Sequence, residues 1–336
     1  MNIKRKNIEI LQAFRAIAAL MVVFYHSTGD YLEKYNQEYI FKIFDQGFIG
    51  VDFFFILSGF IIFYVHHPDL GKKDKFNNFI IKRFIRVYPI HWIATSLMFI
   101  AFVLSGYGDN LVSNIKVIVS SYLLTPNPVY LNGVIWTLSH EILFYSLLIA
   151  WLTLTMLSFF GVAKFESFIM NFLFSKFNIE FALGSFSAYL VLNNKLIHRR
   201  LILLSGILLS GISWGILHLE LISLDRIIAY GLPFTLVIIG AASIAYQEDV
   251  KTPKLLKYLG DASYSIYLIH LLFLNALIKI FGILKLPETI GYFLTMNLIN
   301  LLTIIMSCVF YQLVEKPLLS GINVRMSVKK KAISFN

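Results

Sequence analysis

One cysteine, Cys308, stands in 336 residues, which excludes a disulfide framework, a Cys-x-x-Cys zinc site and a c-type haem attachment. Charge is as scarce as cysteine. Only 14% of the residues are Asp, Glu, Lys or Arg, 58% come from the AVILMFWYC set, and the mean hydropathy is +0.73. A water-soluble domain carries about 25% charge, so this chain is held together by packing in lipid. The sequence contains no P-loop, no GxGxxG after a strand, no HExxH and no GxSxG. Acid–base chemistry must therefore come from ionisable groups inside apolar runs.

Those runs are plentiful. A spanning helix needs about 20 apolar residues, and windows of that kind cover approximately residues 8–27, 47–66, 84–105, 111–125, 134–156, 168–192, 201–219, 226–246, 262–282 and 290–314. The pattern predicts an all-α, polytopic integral membrane protein of about ten transmembrane helices. Window 111–125 is short and carries Lys116, and 168–192 is interrupted by Ser175-Lys176-Phe177-Asn178. Either suits a re-entrant or interfacial segment. With no connection long enough for a soluble domain, the expectation is one membrane domain over 1–336, its core about 8–317 and a basic tail at 318–336.

Lys+Arg total 29 against Asp+Glu 19, a net charge of +10. In a soluble protein this balance would raise nucleic acid as a partner, but here topology accounts for it. Lys4-Arg5-Lys6, the Lys72 to Arg86 segment, Lys195 to Arg200, Lys251 to Lys257 and Lys316 to Lys331 alternate with sparsely basic segments. Basic residues favour the cytoplasmic side, so both termini are expected there, with the tails contacting anionic membrane lipid. The N-terminal apolar run contains Arg15 and is followed by no small-x-small cleavage site, so it reads as a retained helix rather than a signal peptide.

Ionisable groups at membrane depth are costly and face protein or water-filled interiors. Arg15 and His26 are eleven residues apart, which leaves them about 20° apart around a helix and about 16 Å apart along it. They share one face at two depths; the bland alternative places both at the membrane surfaces, Arg15 by snorkelling. Asp52, in Gly50-Val51-Asp52-Phe53-Phe54-Phe55, is expected at about the depth of His26, where a carboxylate would orient the imidazole. Arg83 and Arg86 neighbour each other on a helix and suit bidentate phosphate binding, although any cytoplasmic loop is basic. Glu141 opens a strongly apolar run beside Trp136, Ser139 and His140, and a carboxylate there can orient a base or take a proton. His270 falls near mid-helix, with a cross-helix hydrogen bond as its structural reading. Trp136, Ser139 and His270 are the candidates for substrate contact. Gly211 and Gly215 form a GxxxG packing match.

In order along the chain, these segments resemble the acyltransferase 3 family of bacterial multispan O-acyltransferases. The resemblance rests on Leu11-Gln12-Ala13-Phe14-Arg15 with His26 beyond it, Gly50 to Phe60, Arg83-x-x-Arg86-x-Tyr88-Pro89, and Trp136-Thr137-Leu138-Ser139-His140-Glu141. It continues with Phe181-x-x-Gly184, Ser263 to His270 and Glu315-Lys316-Pro317. Each motif is weak alone, but seven in register across residues 11–317 are specific.

The resemblance implies ten helices, an acyl-CoA donor from the cytoplasm and a carbohydrate acceptor at the outer face. It makes Arg15 and His26 the catalytic pair and links Arg83 and Arg86 to acyl-CoA. Gln12-Ala13 replaces the Asp that many members carry before the Arg, a form similar to the branch that modifies exopolysaccharides. Some relatives append an esterase-like domain, and this chain ends in a short basic tail, so it is expected to act alone or with separate glycan-assembly proteins.

The expected function is acetyl transfer from acetyl-CoA to a glycan hydroxyl in the bacterial inner membrane, without a metal. His26 would be the base or an acyl carrier, and Arg15, Asp52 and Glu141 would assist it. The rival reading is a transporter or exporter that uses the same buried groups as a path.

Overall fold

A computed structural model describes residues 8–36, 42–69, 72–106, 114–144, 155, 158, 167–193, 196–322 and 324. Among these the secondary structure is helical, with no strand. The helices are α1 (Ile10–Tyr35), α2 (Ile49–His66), α3 (Lys73–Ser105), α4 (Ile115–Leu123), α5 (Trp136–Phe144), α6 (Phe168–Leu173) and α7 (Phe177–Asn193). They continue with α8 (Arg199–His218), α9 (Leu232–Gln247), α10 (Lys254–Asp261), α11 (Ser263–Ile283), α12 (Leu286–Ile290) and α13 (Tyr292–Phe310).

Seven helical segments are long and apolar enough to cross a membrane: Ile10–Tyr35, Ile49–Asp69, Asn77–Ser105, Arg199–His218, Ile227–Gln247, Ser263–Ile283 and Tyr292–Ile322. Each coincides with one of the ten sequence windows. The other three windows give shorter helices. The window at 111–125 yields only α4, and 168–192 is split into α6 and α7 around residues 174–176, where Ser175 and Lys176 fall. The window at 134–156 yields α5, and most of its second half lies outside the described residues, as do Lys4-Arg5-Lys6 and the tail from Arg325 onward.

α8 shows why the chain needs lipid. Leu201, Leu204, Ile207 and Leu208 are each more than half exposed along it, a continuous apolar face that water would not tolerate. Short α4 is held by its neighbour instead: His91 on α3 bonds through Nε2 to the Ser121 carbonyl at 2.7 Å, and Trp92 Nε1 donates to the Tyr122 carbonyl at 3.0 Å.

α2 and α7 meet backbone to backbone. A Cβ on Gly59 would overlap the Phe181 carbonyl, and one on Gly184 would overlap the Ile56 carbonyl. Small residues let helices approach this closely in lipid. The expected packing role of Gly211 and Gly215 is corrected: among the described residues, no neighbouring element comes within 4 Å of a Cβ built at either. On α8 it is Gly206 that meets a neighbour, the Pro233–Val237 backbone of α9. The GxxxG spacing puts two glycines on one helix face but does not say that this face has a partner.

Two π-helical turns interrupt the α geometry, Ile227–Gly231 leading into α9 and Tyr311–Glu315 following α13. Each shifts the register at a point that carries a buried polar group. Short α10 docks beside the start of α1, where Lys257 pairs with Glu9. The hydrogen bond and charge of that carboxylate raise the Lys257 ammonium pKa.

Candidate active site

A cavity of about 480 Å³ is lined by α1, α2, α3, α5, the end of α10, α11 and the turn after α13. Arg15, Arg83, Arg86, Glu141, Asp261, Glu315 and Lys316 are its charged lining groups, and Val51, Phe54, Phe55, Thr137 and Tyr267 supply apolar wall and hydroxyls.

The two arginines of the RxxR spacing are held differently. Arg86 Nη1 donates to Glu315 Oε1 at 3.1 Å, and Ser265 Oγ donates to Glu315 Oε2 at 2.6 Å. The Glu315 side chain is 0% exposed and that of Arg86 is 36% exposed. One guanidinium edge of Arg86 is therefore spent on a carboxylate that no water reaches, and its plane lies 5.4 Å from the Tyr264 ring centroid. Arg83 instead bonds through Nη2 to His66 Nε2 at 3.0 Å and lies 5.6 Å from the Phe79 ring centroid. Ser265 and Glu315 were parts of sequence motifs without an assigned task. Their task is to set the angle of Arg86, which a contact over 229 positions conceals from the sequence.

Arg15 lines the cavity, and among the described residues its guanidinium makes no hydrogen bond or ion pair. A guanidinium presents five N–H donors, so Arg15 offers the cavity a fixed positive charge. Glu141 lines the cavity too.

α5 shows why Glu141 is placed there and its neighbours are not. At 100° per residue, Thr137, Leu138 and Glu141 fall on one face and Trp136, Ser139 and His140 on the other. Trp136 packs against Phe55 and Phe177, with ring centroids 6.3 and 5.1 Å away. Ser139 is buried and donates to the Ile135 carbonyl of its own helix at 3.4 Å. Both were expected to contact substrate. Neither is among the residues that line the cavity.

Asp52 has Arg226 as its partner. Arg226 Nε donates to Asp52 Oδ1 at 3.0 Å and Nη2 to Oδ2 at 2.5 Å, closing a bidentate pair around a carboxylate that is 0% exposed. The guanidinium sits 4.7 Å from the Phe48 ring and 5.5 Å from Phe177. Asp52 thus ties α2 to the segment entering α9 rather than orienting His26. The sequence concealed this because the partner lies 174 positions away.

The imidazole of His26 has another neighbour. His270 Nε2 lies 3.1 Å from His26 Nδ1, and the same Nδ1 lies 3.0 Å from the Val22 carbonyl. The cross-helix hydrogen bond expected of His270 is made, and made to the candidate base. His270, expected as a substrate contact, is 0% exposed. One turn earlier on α11, the Tyr267 hydroxyl meets Thr137 Oγ1 at 3.0 Å, and both bond to the Val134 carbonyl. Tyr267 packs there with Val22, Val51, Phe55 and Val134. Tyr267, Val51 and Phe55 line the cavity, whereas His26 and His270 do not.

Helices of membrane-crossing length around a cavity lined by charged and polar groups mark a polytopic helical membrane protein. Residues 8–312 match the model of the acyltransferase domain of the acyltransferase 3 family, and the chain belongs to that family. It is a membrane acyltransferase. It is 28% identical over 308 residues to the exopolysaccharide production protein ExoZ of Rhizobium meliloti (strain 1021), covering 82% of this chain and 90% of that protein. No solved structure matches it.

Proposed function

We propose that the protein transfers acetyl from cytoplasmic acetyl-CoA to a sugar hydroxyl of an exported polysaccharide or lipid-linked glycan, in the bacterial inner membrane. The observation that carries this reading is the cavity itself. It is lined by Arg83, Arg86 and Lys316, by the guanidinium of Arg15, and by Tyr267, which stands one helical turn from His270 and the His26 it contacts. Similarity to a protein named for exopolysaccharide production supports the acceptor class.

In this reading Arg83 and the open edge of Arg86 bind the CoA phosphates, and the thioester arm runs along the apolar wall past Arg15. The Val51–Tyr267 layer parts to bring the thioester to His26. Neutral His26 takes the proton of the sugar hydroxyl as that oxygen attacks the thioester carbonyl. The Arg15 guanidinium, about 16 Å from His26 along α1, holds the thioester arm by its charge as the arm passes. The C–S bond then breaks and the proton passes from the imidazolium to the departing CoA thiolate. Transient acylation of His26 is the two-step form of the same transfer.

The test is acetyl-CoA binding to purified protein in lipid, together with the acetyl content of exported polysaccharide in cells carrying each variant. Loss of binding in Arg83→Ala/Arg86→Ala, and binding without acetylation in His26→Ala, are the expected results. Folded wild type that fails to bind acetyl-CoA sinks the reading and favours transport without chemistry.

A further inference from the structure

We propose that His270 is a positioning residue for His26, fixing its tautomer so that Nε2 carries the lone pair that takes the proton. This rests on the reading of His26 as the base.

Two backbone carbonyls decide the protons of the pair. His270 Nδ1 lies 2.8 Å from the Tyr267 carbonyl and 3.2 Å from that of Ile266. Carbonyl oxygens only accept, so this Nδ1 is the protonated nitrogen of a neutral ring and His270 Nε2 is a lone pair. His26 Nδ1 faces that lone pair at 3.1 Å and the Val22 carbonyl at 3.0 Å. With two acceptors before it, His26 Nδ1 must carry its proton and share it between them. The proton of neutral His26 is then used up, and Nε2 is bare. The opposite tautomer would set the single Nδ1 lone pair of His26 against both the lone pair of His270 Nε2 and the carbonyl oxygen of Val22.

The arrangement also assists the step. When His26 Nε2 accepts the hydroxyl proton, positive charge spreads to Nδ1–H, which already points at two acceptors. His270 is 0% exposed, its own proton is held by the turn that begins α11, and the ring centroids of the pair are 5.1 Å apart. A carboxylate in this place would hold the imidazole by charge. A neutral imidazole does so by lone pair alone, which suits a site where α11 is buried in an apolar layer and an unpaired carboxylate is costly to desolvate. The Tyr267 hydroxyl bonded to Thr137 and Val134 locks the turn whose carbonyl starts this chain.

The test uses the full-length protein with histidine 15N-labelled, in lipid, and needs no acceptor. Wild type should show His26 with a protonated Nδ1 and a bare Nε2. His270→Leu should give a mixture of His26 tautomers, and His270→Gln, whose amide oxygen can reach the place of Nε2, should restore the wild-type pattern. In cells, polysaccharide acetylation should fall about tenfold or more in His270→Leu and recover in His270→Gln, with acetyl-CoA affinity of the purified variants unchanged. A bare Nδ1 on wild-type His26 overturns the proposal, and so does full acetylation by His270→Leu. If His26→Ala still acetylates, the reading of His26 as base fails instead. Acetylation lost in His26→Ala but intact in His270→Leu rejects only the positioning role.

Discussion

Asp52 and Arg226 form a bidentate ion pair whose carboxylate is wholly buried and whose guanidinium is 31% exposed. The pair fixes α2 against the π turn before α9, and α2 supplies Val51, Phe54 and Phe55 to the cavity wall. Arg226 is thus a structural residue for the site without lining it.

Removing one partner leaves a buried charge uncompensated, which costs about 3–5 kcal/mol. Arg226→Met should therefore lower thermal stability in detergent sharply, and Asp52→Asn/Arg226→Met should recover part of the loss. A double-mutant cycle measures the coupling, and acetyl-CoA affinity of whatever protein remains folded should be near wild type.

Arg83→Ala and Arg86→Ala should differ although the residues are three apart. Arg86→Ala abandons Glu315 in a buried position and should lose stability together with acetyl-CoA affinity. Arg83→Ala should lose affinity with a smaller change in stability. Each charged hydrogen bond to phosphate is worth about 1.5–3 kcal/mol, so each loss of affinity should be about tenfold or more. Isothermal titration and thermal melts on the same samples separate the two quantities.

On α5, Glu141→Gln should reduce acetylation while Ser139→Ala should leave it near wild type. The Ser139 hydroxyl bonds only to its own helix, whereas Glu141 faces the cavity. Equal losses in the two variants would refute the assignment of helix faces.

Glycines on α2, α7 and α8 should also behave in opposite ways. Gly59→Ala or Gly184→Ala forces two backbones apart and should cost about 1–3 kcal/mol. Gly211→Ala meets open space and gains helix propensity of up to about 1 kcal/mol. Melting temperatures of the three variants in one detergent decide the matter.

Most spanning helices were legible in the sequence because an apolar run of membrane length has one stable state in lipid, with its backbone groups paired within the run. Windows 111–125 and 168–192, where the run is short or interrupted, give shorter helices. There a neighbour decides the outcome, as α3 does for α4 through His91 and Trp92. The shared face of Arg15 and His26 followed from helix period alone, because both residues belong to one element. The face of α5 carrying Glu141 was open to the same arithmetic, but which face turned to the cavity was not.

The sequence by itself determined that this is a helical membrane protein of the acyltransferase 3 family, and which ionisable residues stand inside its spans. Both properties are local, written in runs of apolar residues and short motifs. Tertiary structure alone decided the partners: Asp52 with Arg226, Glu315 with Arg86, and His270 with His26. Each of these joins residues on different helices, and helices in lipid choose neighbours by shape and by the need to pair buried polar groups. No periodicity within one helix encodes that choice.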